Sequence, residues 1–179
     1  MTTNKIKIIR FKDQQRLEAD EYVASEEPLQ INLNGKPSTI TMRTPGEDVE
    51  LAIGFLFTEG LIESIEDIRD SIKVDEDSVN ILTTKPDIMT QVIERNFYST
   101  SSCGVCGKPS IDQIAAVSQY LNFKNRISIN SDTLLTLPDK LRAVQETFDR
   151  TGGLHGCALF NPEGDYIVHR EDVGRHNAL

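Results

Sequence analysis

The sequence is short of several residue types and segments. None of its 179 residues is tryptophan and only three are cysteine, a small odd number that argues against a disulfide-stabilised scaffold. No apolar run approaches the roughly 20 residues that a membrane-spanning helix needs. The N-terminus also lacks the apolar stretch of a secretory signal peptide. We therefore expect a cytoplasmic protein without a membrane segment.

Basic residues are in the minority. The chain has 19 lysines and arginines against 28 aspartates and glutamates, which gives a formal net charge of −9. This balance argues against nonspecific binding to nucleic acid or anionic lipid. The apolar fraction of 38% and the charged fraction of 26% are those of a globular protein. A chain of this length can form one core with a small satellite.

The hydrophobic pattern predicts a mixed fold, either α+β or layered α/β. Asn34-Gly35, between two alternating segments, is a strong hairpin signal. Strands are predicted at residues 6–11, 22–24, 28–33, 38–43, 71–74, 78–82, 155–160 and 166–170. Helices are predicted at residues 44–59, 87–95 and 110–121, over the helical spacing of residues 137–148 with an end at Thr151-Gly152-Gly153, and from residue 171 onward. The first helix would begin with a capping box of Thr44 and Glu47, and the last with Asp172 as N-cap.

Two cysteines, Cys103 and Cys106, stand in a glycine-framed loop. Only a thiolate attacks or carries a transferable sulfur, so a reactive site must lower the pKa of its cysteine. Gly104 and Gly107 permit a backbone fold in which amide N–H groups face the sulfur, and Lys108 adds a nearby cation. The loop therefore favours a reactive thiol.

This loop has two other interpretations. It could supply two of the four ligands of a structural zinc site, or its cysteines could be buried residues without a chemical role. Zinc needs four ligands, and a second CxxC is absent from the sequence. The remaining candidates, Cys157, His155, His169 and His176, do not have a familiar finger spacing. We expect Cys157 to point into the core and His169 to be solvated or hydrogen-bonded on its strand.

A second group of polar residues flanks the predicted hairpin at residues 155–170. His155 begins it, and Glu171, Asp172, Arg175 and His176 follow it. Because a hairpin brings its two ends together, these side chains should be neighbours that can move protons and hold an anion. On a helix, Asp172 and His176 would share a face, so the carboxylate could orient the imidazole. Ordinary ion pairs at a helix start are the alternative.

Short motifs in a fixed order run through nearly the whole chain. They are Glu27-Pro28-Leu29, Leu33-Asn34-Gly35, Arg43-Thr44-Pro45-Gly46, Glu50 to Leu56, Thr58-Glu59-Gly60, Ser102 to Gly107, Thr151-Gly152-Gly153-Leu154-His155, and Arg170 to Leu179. Each is weak alone, but in this combination the chain resembles the formate dehydrogenase accessory sulfurtransferase family, FdhD (FdhD-NarQ).

The resemblance implies a sulfurtransferase with a cysteine persulfide intermediate. Members of that family take persulfide sulfur from a cysteine desulfurase. They pass it to the molybdenum (or tungsten) bis(molybdopterin guanine dinucleotide) cofactor of formate dehydrogenase. By position, Cys103 would carry the persulfide and Cys106 would help to release it through a transient disulfide. The cofactor-binding residues would be His155, Glu171, Asp172, Arg175 and His176, and no permanently bound metal is expected.

The resemblance also implies an architecture, a cytidine-deaminase-like layered domain with a small N-terminal-derived subdomain. Residues 1–100 would form the N-terminal strands, the hairpin and the buried helix. Residues 101–179 would hold the CxxC loop and part of the cytidine-deaminase-like core. Family chains continue past the position of Leu179, so a chain truncated at its C-terminus is expected. A homodimer is expected as well.

Two other functions stay open. A zinc-dependent deaminase-like hydrolase needs a His-x-Glu followed later by Pro-Cys-x-x-Cys. Here the cysteine pair precedes the histidine, and Cys157 stands where the glutamate would be. A non-catalytic chaperone that binds the cofactor is the other alternative, which the acidic composition allows.

Overall fold

The computed structural model describes residues 2–88 and 127–179, which fall into two compact units. Unit 1 comprises residues 2–26, 44–46 and 127–179, and unit 2 comprises residues 27–43 and 47–88. The cysteine loop, the predicted helix at 110–121, most of that at 87–95 and the predicted boundary at residue 100 lie outside the described residues. These stay predictions.

Eight strands and three α-helices are described within these residues. The strands are β1 (Thr3–Lys12), β2 (Gln15–Ala24), β3 (Glu27–Leu33), β4 (Lys36–Arg43), β5 (Ile68–Asp75), β6 (Ser78–Thr83), β7 (His155–Phe160) and β8 (Tyr166–Asp172). The helices are α1 (Asp48–Thr58), α2 (Ser131–Val144) and α3 (Glu146–Thr151), and a 3₁₀ turn spans Ile65–Asp67. The expectation of a mixed α and β fold is confirmed.

Unit 2 is a four-stranded sheet with one helix packed on it. The strand order is β4-β3-β6-β5, in which β3 and β6 are parallel and the other pairs antiparallel. Alternate residues of β3 and β6 are buried, because successive side chains of a strand point to opposite faces. The apolar core consists of Leu29, Ile31, Leu33, Ala52, Leu56, Leu61, Ile62, Val79, Ile81 and Ile88.

The Asn34-Gly35 hairpin is confirmed. Both residues have positive φ, 49° and 78°, as a two-residue type I′ turn requires. As the sequence predicts, Gly60 stops helix α1 just past its last residue, with a φ of 66°. The Gly60 N–H donates to the Phe57 carbonyl, and the Leu61 N–H donates to the Leu56 carbonyl, both at 2.9 Å. These two hydrogen bonds satisfy carbonyl groups in the last turn of the helix.

The predicted capping box at the start of α1 is wrong. The N-cap residue is Glu47, and no side-chain hydrogen bond caps the helix. The Thr44 hydroxyl accepts a hydrogen bond from the Val173 N–H instead.

Unit 1 contains two antiparallel hairpins, β1–β2 and β7–β8. Helix α2 begins after Asn130, whose side-chain oxygen accepts from the Asp132 N–H at 2.8 Å. Helix α3 ends at Gly152, which has a φ of 66°. The guanidinium of Arg150 stacks on the Tyr22 ring at 3.8 Å, a cation–π contact between α3 and β2.

Two helix predictions in unit 1 need correction. The single helix predicted at 137–148 is two helices, because the chain leaves helical geometry at Gln145, with a ψ of 70°. The helix predicted from Glu171 is absent. Strand β8 runs through Asp172, and a single turn follows at residues 175–177. The Asp172 carboxylate accepts from the Gly174 N–H two residues on, so it closes a tight turn and does not cap a helix.

Among the helices described, none has the length and the apolar character that crossing a bilayer requires.

Candidate functional site

The ends of the β7–β8 hairpin meet, as the sequence predicts. His155 is paired with Asp172 across the two strands, and Gly156 is paired with Glu171. The motif that begins with Thr151 and the motif that ends at Leu179 are therefore adjacent in unit 1. We call residues 173–177, which follow β8, the acceptor turn.

Asp172 is the polar centre of this region and is only 5% exposed. Its Oδ1 accepts from the Gly174 N–H at 2.7 Å and from the Asn177 side-chain amide at 3.0 Å. Its Oδ2 accepts from the Thr44 N–H at 2.8 Å. Burying a carboxylate is costly unless its oxygens are hydrogen-bonded, and here both are.

Thr44 completes a reciprocal contact with the start of the acceptor turn. Its hydroxyl accepts from the Val173 N–H at 3.1 Å while its own N–H donates to Asp172. Thr44 is 7% exposed. The Thr44–Asp172 clamp, defined by these two hydrogen bonds, joins residues 128 positions apart in sequence.

Glu171 caps helix α3. Its two carboxylate oxygens accept from the backbone N–H groups of Thr147, at 3.0 Å, and Phe148, at 2.9 Å. These are donors that the first turn of a helix leaves unpaired. Glu171 therefore explains why a new helix starts after Gln145.

Gly156 permits a close approach at the same place. A Cβ on this residue would lie 2.2 Å from the side-chain nitrogen and 2.8 Å from the Cδ of Gln145. Gln145 is buried, so a side chain at position 156 would have to displace it. Packing against Gln145 therefore explains the glycine at position 156.

Three of the predicted site residues are exposed. His155, Arg175 and His176 are exposed, and the last two lie on the acceptor turn. A guanidinium and two imidazoles can donate to an anion. The helix on which Asp172 and His176 would share a face is not formed.

The other cysteine and histidine of this hairpin have structural surroundings. Cys157 is a free thiol and is half-buried; the expectation that it points into the core is met only in part. The Nδ1 of His169 lies 2.8 Å from the Tyr166 hydroxyl, so the expectation that this histidine is hydrogen-bonded is confirmed. Within residues 2–88 and 127–179, no three His, Cys, Asp or Glu side chains are grouped so that they could hold a metal ion.

Unit 2 contains a buried ionic cluster that sequence reasoning missed. Arg43 is fully buried, and its Nε donates to Asp48 Oδ1 at 2.9 Å. Lys73 Nζ donates to Asp48 Oδ2 at 2.8 Å, and Arg43 Nη2 donates to the Glu76 carbonyl at 2.8 Å. An arginine at the end of an alternating strand, five residues before an acidic helix start, is the signal that could have revealed this pair.

The pKa of Asp48 is lowered by this cluster. Burial acts to raise it, but the hydrogen bonds and charges of Lys73 and Arg43 outweigh burial and hold the pKa below its usual range. Asp48 is therefore a structural anion of unit 2.

The fold of this chain has a counterpart among solved structures. It is similar to the crystal structure of a protein described as a formate dehydrogenase accessory protein from Desulfotalea psychrophila. The TM-score is 0.73 and the sequence identity 22%, and the match covers 99% of this chain and 63% of that one. At this identity the likeness concerns the fold.

Sequence comparison identifies the family. The FdhD/NarQ family profile matches residues 24–179, and the chain belongs to this family. It is 42% identical, over 99% of its length, to the sulfur carrier protein FdhD of Streptomyces avermitilis, of which the match covers 67%. It is 40% identical, over 100% of its length, to the sulfur carrier protein FdhD of Sulfolobus acidocaldarius, again covering 67% of that protein. The chain thus spans about two thirds of the length of these relatives.

Proposed function

We propose that this chain is a sulfur carrier that serves formate dehydrogenase. In this proposal, sulfur passes from a cysteine desulfurase, through a persulfide on Cys103, to the molybdenum bis(molybdopterin guanine dinucleotide) cofactor. The observation that carries it is the identity of about two fifths, along the whole chain, to proteins named sulfur carrier protein. The cytoplasm is the proposed site of action.

Loading is a thiolate exchange at a sulfane sulfur. The Cys103 thiolate attacks the terminal sulfur of the desulfurase cysteine persulfide. The new S–S bond forms on Cys103 while the old one breaks, and the desulfurase cysteine leaves as a thiolate. No outside oxidant or reductant is consumed, because the sulfane sulfur keeps its oxidation state.

Release uses the second cysteine of the loop. The Cys106 thiolate attacks the inner sulfur of the Cys103 persulfide, which forms a Cys103–Cys106 disulfide and expels hydrosulfide for the acceptor. Two electrons have then moved from the cysteine pair to the transferred sulfur. A cellular dithiol reductant must reduce the disulfide before the next cycle.

The acceptor carries phosphates, and the exposed residues at the hairpin ends fit such a group. Arg175, His176 and His155 present donors at the surface, and a guanidinium matches phosphate oxygens with paired donors. Asp172 and Glu171 direct their carboxylates to N–H groups of the chain itself, so they would repel a phosphate less than bare carboxylates would.

The proposal includes a finer architecture and assembly. We propose that residues 101–179 form part of a cytidine-deaminase-like core, with a small subdomain from the N-terminal part of the chain, and that the protein acts as a homodimer. The mixed α and β fold of the described residues and the family likeness support this proposal.

Intact-mass spectrometry tests the loading step. The chain is incubated with a cysteine desulfurase and cysteine, and we expect a mass increase of one sulfur atom that is removed by reductant. Cys103→Ala should abolish the increase, while Cys157→Ala, the matched control at a half-buried thiol, should keep it. Sulfur retained by Cys103→Ala would contradict the assignment.

Two further outcomes would favour other functions. Stoichiometric zinc in the purified protein would revive the deaminase-like reading, since such enzymes depend on a coordinated zinc. Full activation of formate dehydrogenase by Cys103→Ala would favour a cofactor-binding chaperone.

A further inference from the structure

We infer that Thr44 and Asp172 are positioning residues, which fix the acceptor turn so that Arg175 and His176 are aimed at the anionic acceptor. This inference rests on the proposed function, because the anion is the phosphate-bearing group of that proposal. It moves Asp172 from the set of expected cofactor ligands to the set of groups that hold the ligands in place.

The hydrogen bonds of Asp172 are the first argument. Its two oxygens accept three N–H donors, from Thr44, Gly174 and Asn177, and the residue is 5% exposed. A buried carboxylate with these bonds has little capacity left for a ligand. A carboxylate facing a phosphate would also repel it, since like charges at close range are unfavourable.

The position of the bonds is the second argument. The clamp holds the N-terminal side of the acceptor turn at Val173, and Asp172 reaches across the turn to Asn177. Beyond the turn, the Ala178 N–H donates to the Gly174 carbonyl at 3.1 Å, and Ala178 is 3% exposed. The backbone is therefore fixed on both sides of the exposed residues Arg175 and His176.

The contrast in exposure is the third argument. Arg175 and His176 are exposed, while the residues that hold the turn at either end are buried. Pre-organising a binding residue reduces the ordering cost that a ligand must meet. A turn held in this way would lower that cost for a phosphate contacted by Arg175.

A matched pair of substitutions tests the clamp. Thr44→Val removes the hydroxyl that accepts from the Val173 N–H and keeps the shape of the side chain, whereas Thr44→Ser keeps an acceptor. Both leave the Thr44 N–H that donates to Asp172. Inorganic pyrophosphate serves as the probe, and its affinity is measured by calorimetry well below the melting temperature of every variant. Hydrogen exchange of the Val173 amide is measured in parallel.

We expect Thr44→Val to weaken pyrophosphate binding about fivefold, the equivalent of one lost hydrogen bond, and to speed exchange at Val173. Thr44→Ser should stay close to the native affinity. Arg175→Ala should lose at least as much affinity as Thr44→Val, because it removes the proposed contact itself.

Two results would overturn the inference. The first is a Thr44→Val chain that melts lower or exchanges faster at Val173 yet binds pyrophosphate as the native chain does, since the clamp would then be structural only. The second is a native chain that does not bind pyrophosphate, which removes the anion subsite as well. Neither result bears on whether Cys103 takes up sulfur, so a failure of the clamp is distinguishable from a failure of sulfur transfer.

Discussion

Two buried aspartates, one in each unit, hold their negative charge with different kinds of donor. Asp48 in unit 2 is paired with the Arg43 guanidinium and the Lys73 ammonium. Asp172 in unit 1 is bonded by the backbone N–H groups of Thr44 and Gly174 and by a side-chain amide. The bonds to Asp48 come from charged groups, and these three bonds to Asp172 come from uncharged N–H groups.

The difference separates two purposes. A buried ion pair depends strongly on both partners, because either one left alone is an uncompensated charge in a medium that solvates it poorly. A carboxylate bonded by backbone donors instead fixes the path of the chain around it. The cluster in unit 2 therefore bears mainly on stability, and the clamp in unit 1 bears on the geometry of a turn.

The largest expected effect is in unit 2. Arg43→Met leaves Asp48 buried with Lys73 alone, and we expect the free energy of unfolding to fall by about 3 kcal/mol. Urea denaturation measures it. Arg10→Met is the control, since the ion pair of Arg10 with Glu21 lies at the surface and such pairs add little. If Arg43→Met and Arg10→Met were equally stable, the buried ion pair of Asp48 would contribute no more than a surface ion pair, which would contradict this expectation.

A smaller effect is expected in unit 1. Asp172→Asn keeps one acceptor oxygen but turns an NH₂ group toward a backbone N–H, and we expect a loss of about 1–2 kcal/mol. Glu163→Gln, at an exposed position of the β7–β8 loop, should leave the denaturation midpoint unchanged. If Asp172→Asn lowers the free energy of unfolding more than Arg43→Met does, the buried ion pair of unit 2 is not the stronger stabilising contact, and the comparison fails.

The smallest expected effect is the change with pH in the stability that Asp48 contributes. The pKa of Asp48 is lowered in the folded chain: burial opposes the shift, and Lys73 and Arg43 overcome it. The pairing therefore stabilises the fold above the unfolded pKa of about 4 and is lost as the pH falls through the folded value.

We expect the difference in stability between the native chain and Asp48→Asn to be greatest near neutral pH and to shrink below about pH 4. Urea midpoints at a series of pH values measure this difference. A difference between the native chain and Asp48→Asn that grows on acidification would contradict the sign of the shift.

The sequence predicts those parts of the structure that depend on local patterns. The alternation in β3 and the Asn34-Gly35 turn predicted a hairpin, because a strand buries every second residue and this turn needs two positive φ angles. A hairpin also predicted that His155 and Asp172 are neighbours. These are contacts between segments that the chain itself brings together.

The parts that were missed depend on partners far along the chain. The hydroxyl of Thr44, expected to be the N-cap of the helix that begins there, accepts from the Val173 amide, 129 positions away. The chain breaks helical geometry at Gln145, and Glu171 caps the helix that follows. A local pattern contains no information on such contacts. It predicted one helix before the β7–β8 hairpin where the structure has two, and a helix after the hairpin where the structure has a single turn.

The most direct test of sulfur transfer is to locate the sulfur after one loading reaction. The chain is mixed with a desulfurase that carries a labelled persulfide, its thiols are blocked, and it is digested with trypsin. We predict the label on Cys103 in the tryptic peptide of residues 96–124, with none on the peptide that contains Cys157. Label on the Cys157 peptide, or no protein-bound label at all, would contradict a persulfide carried by Cys103.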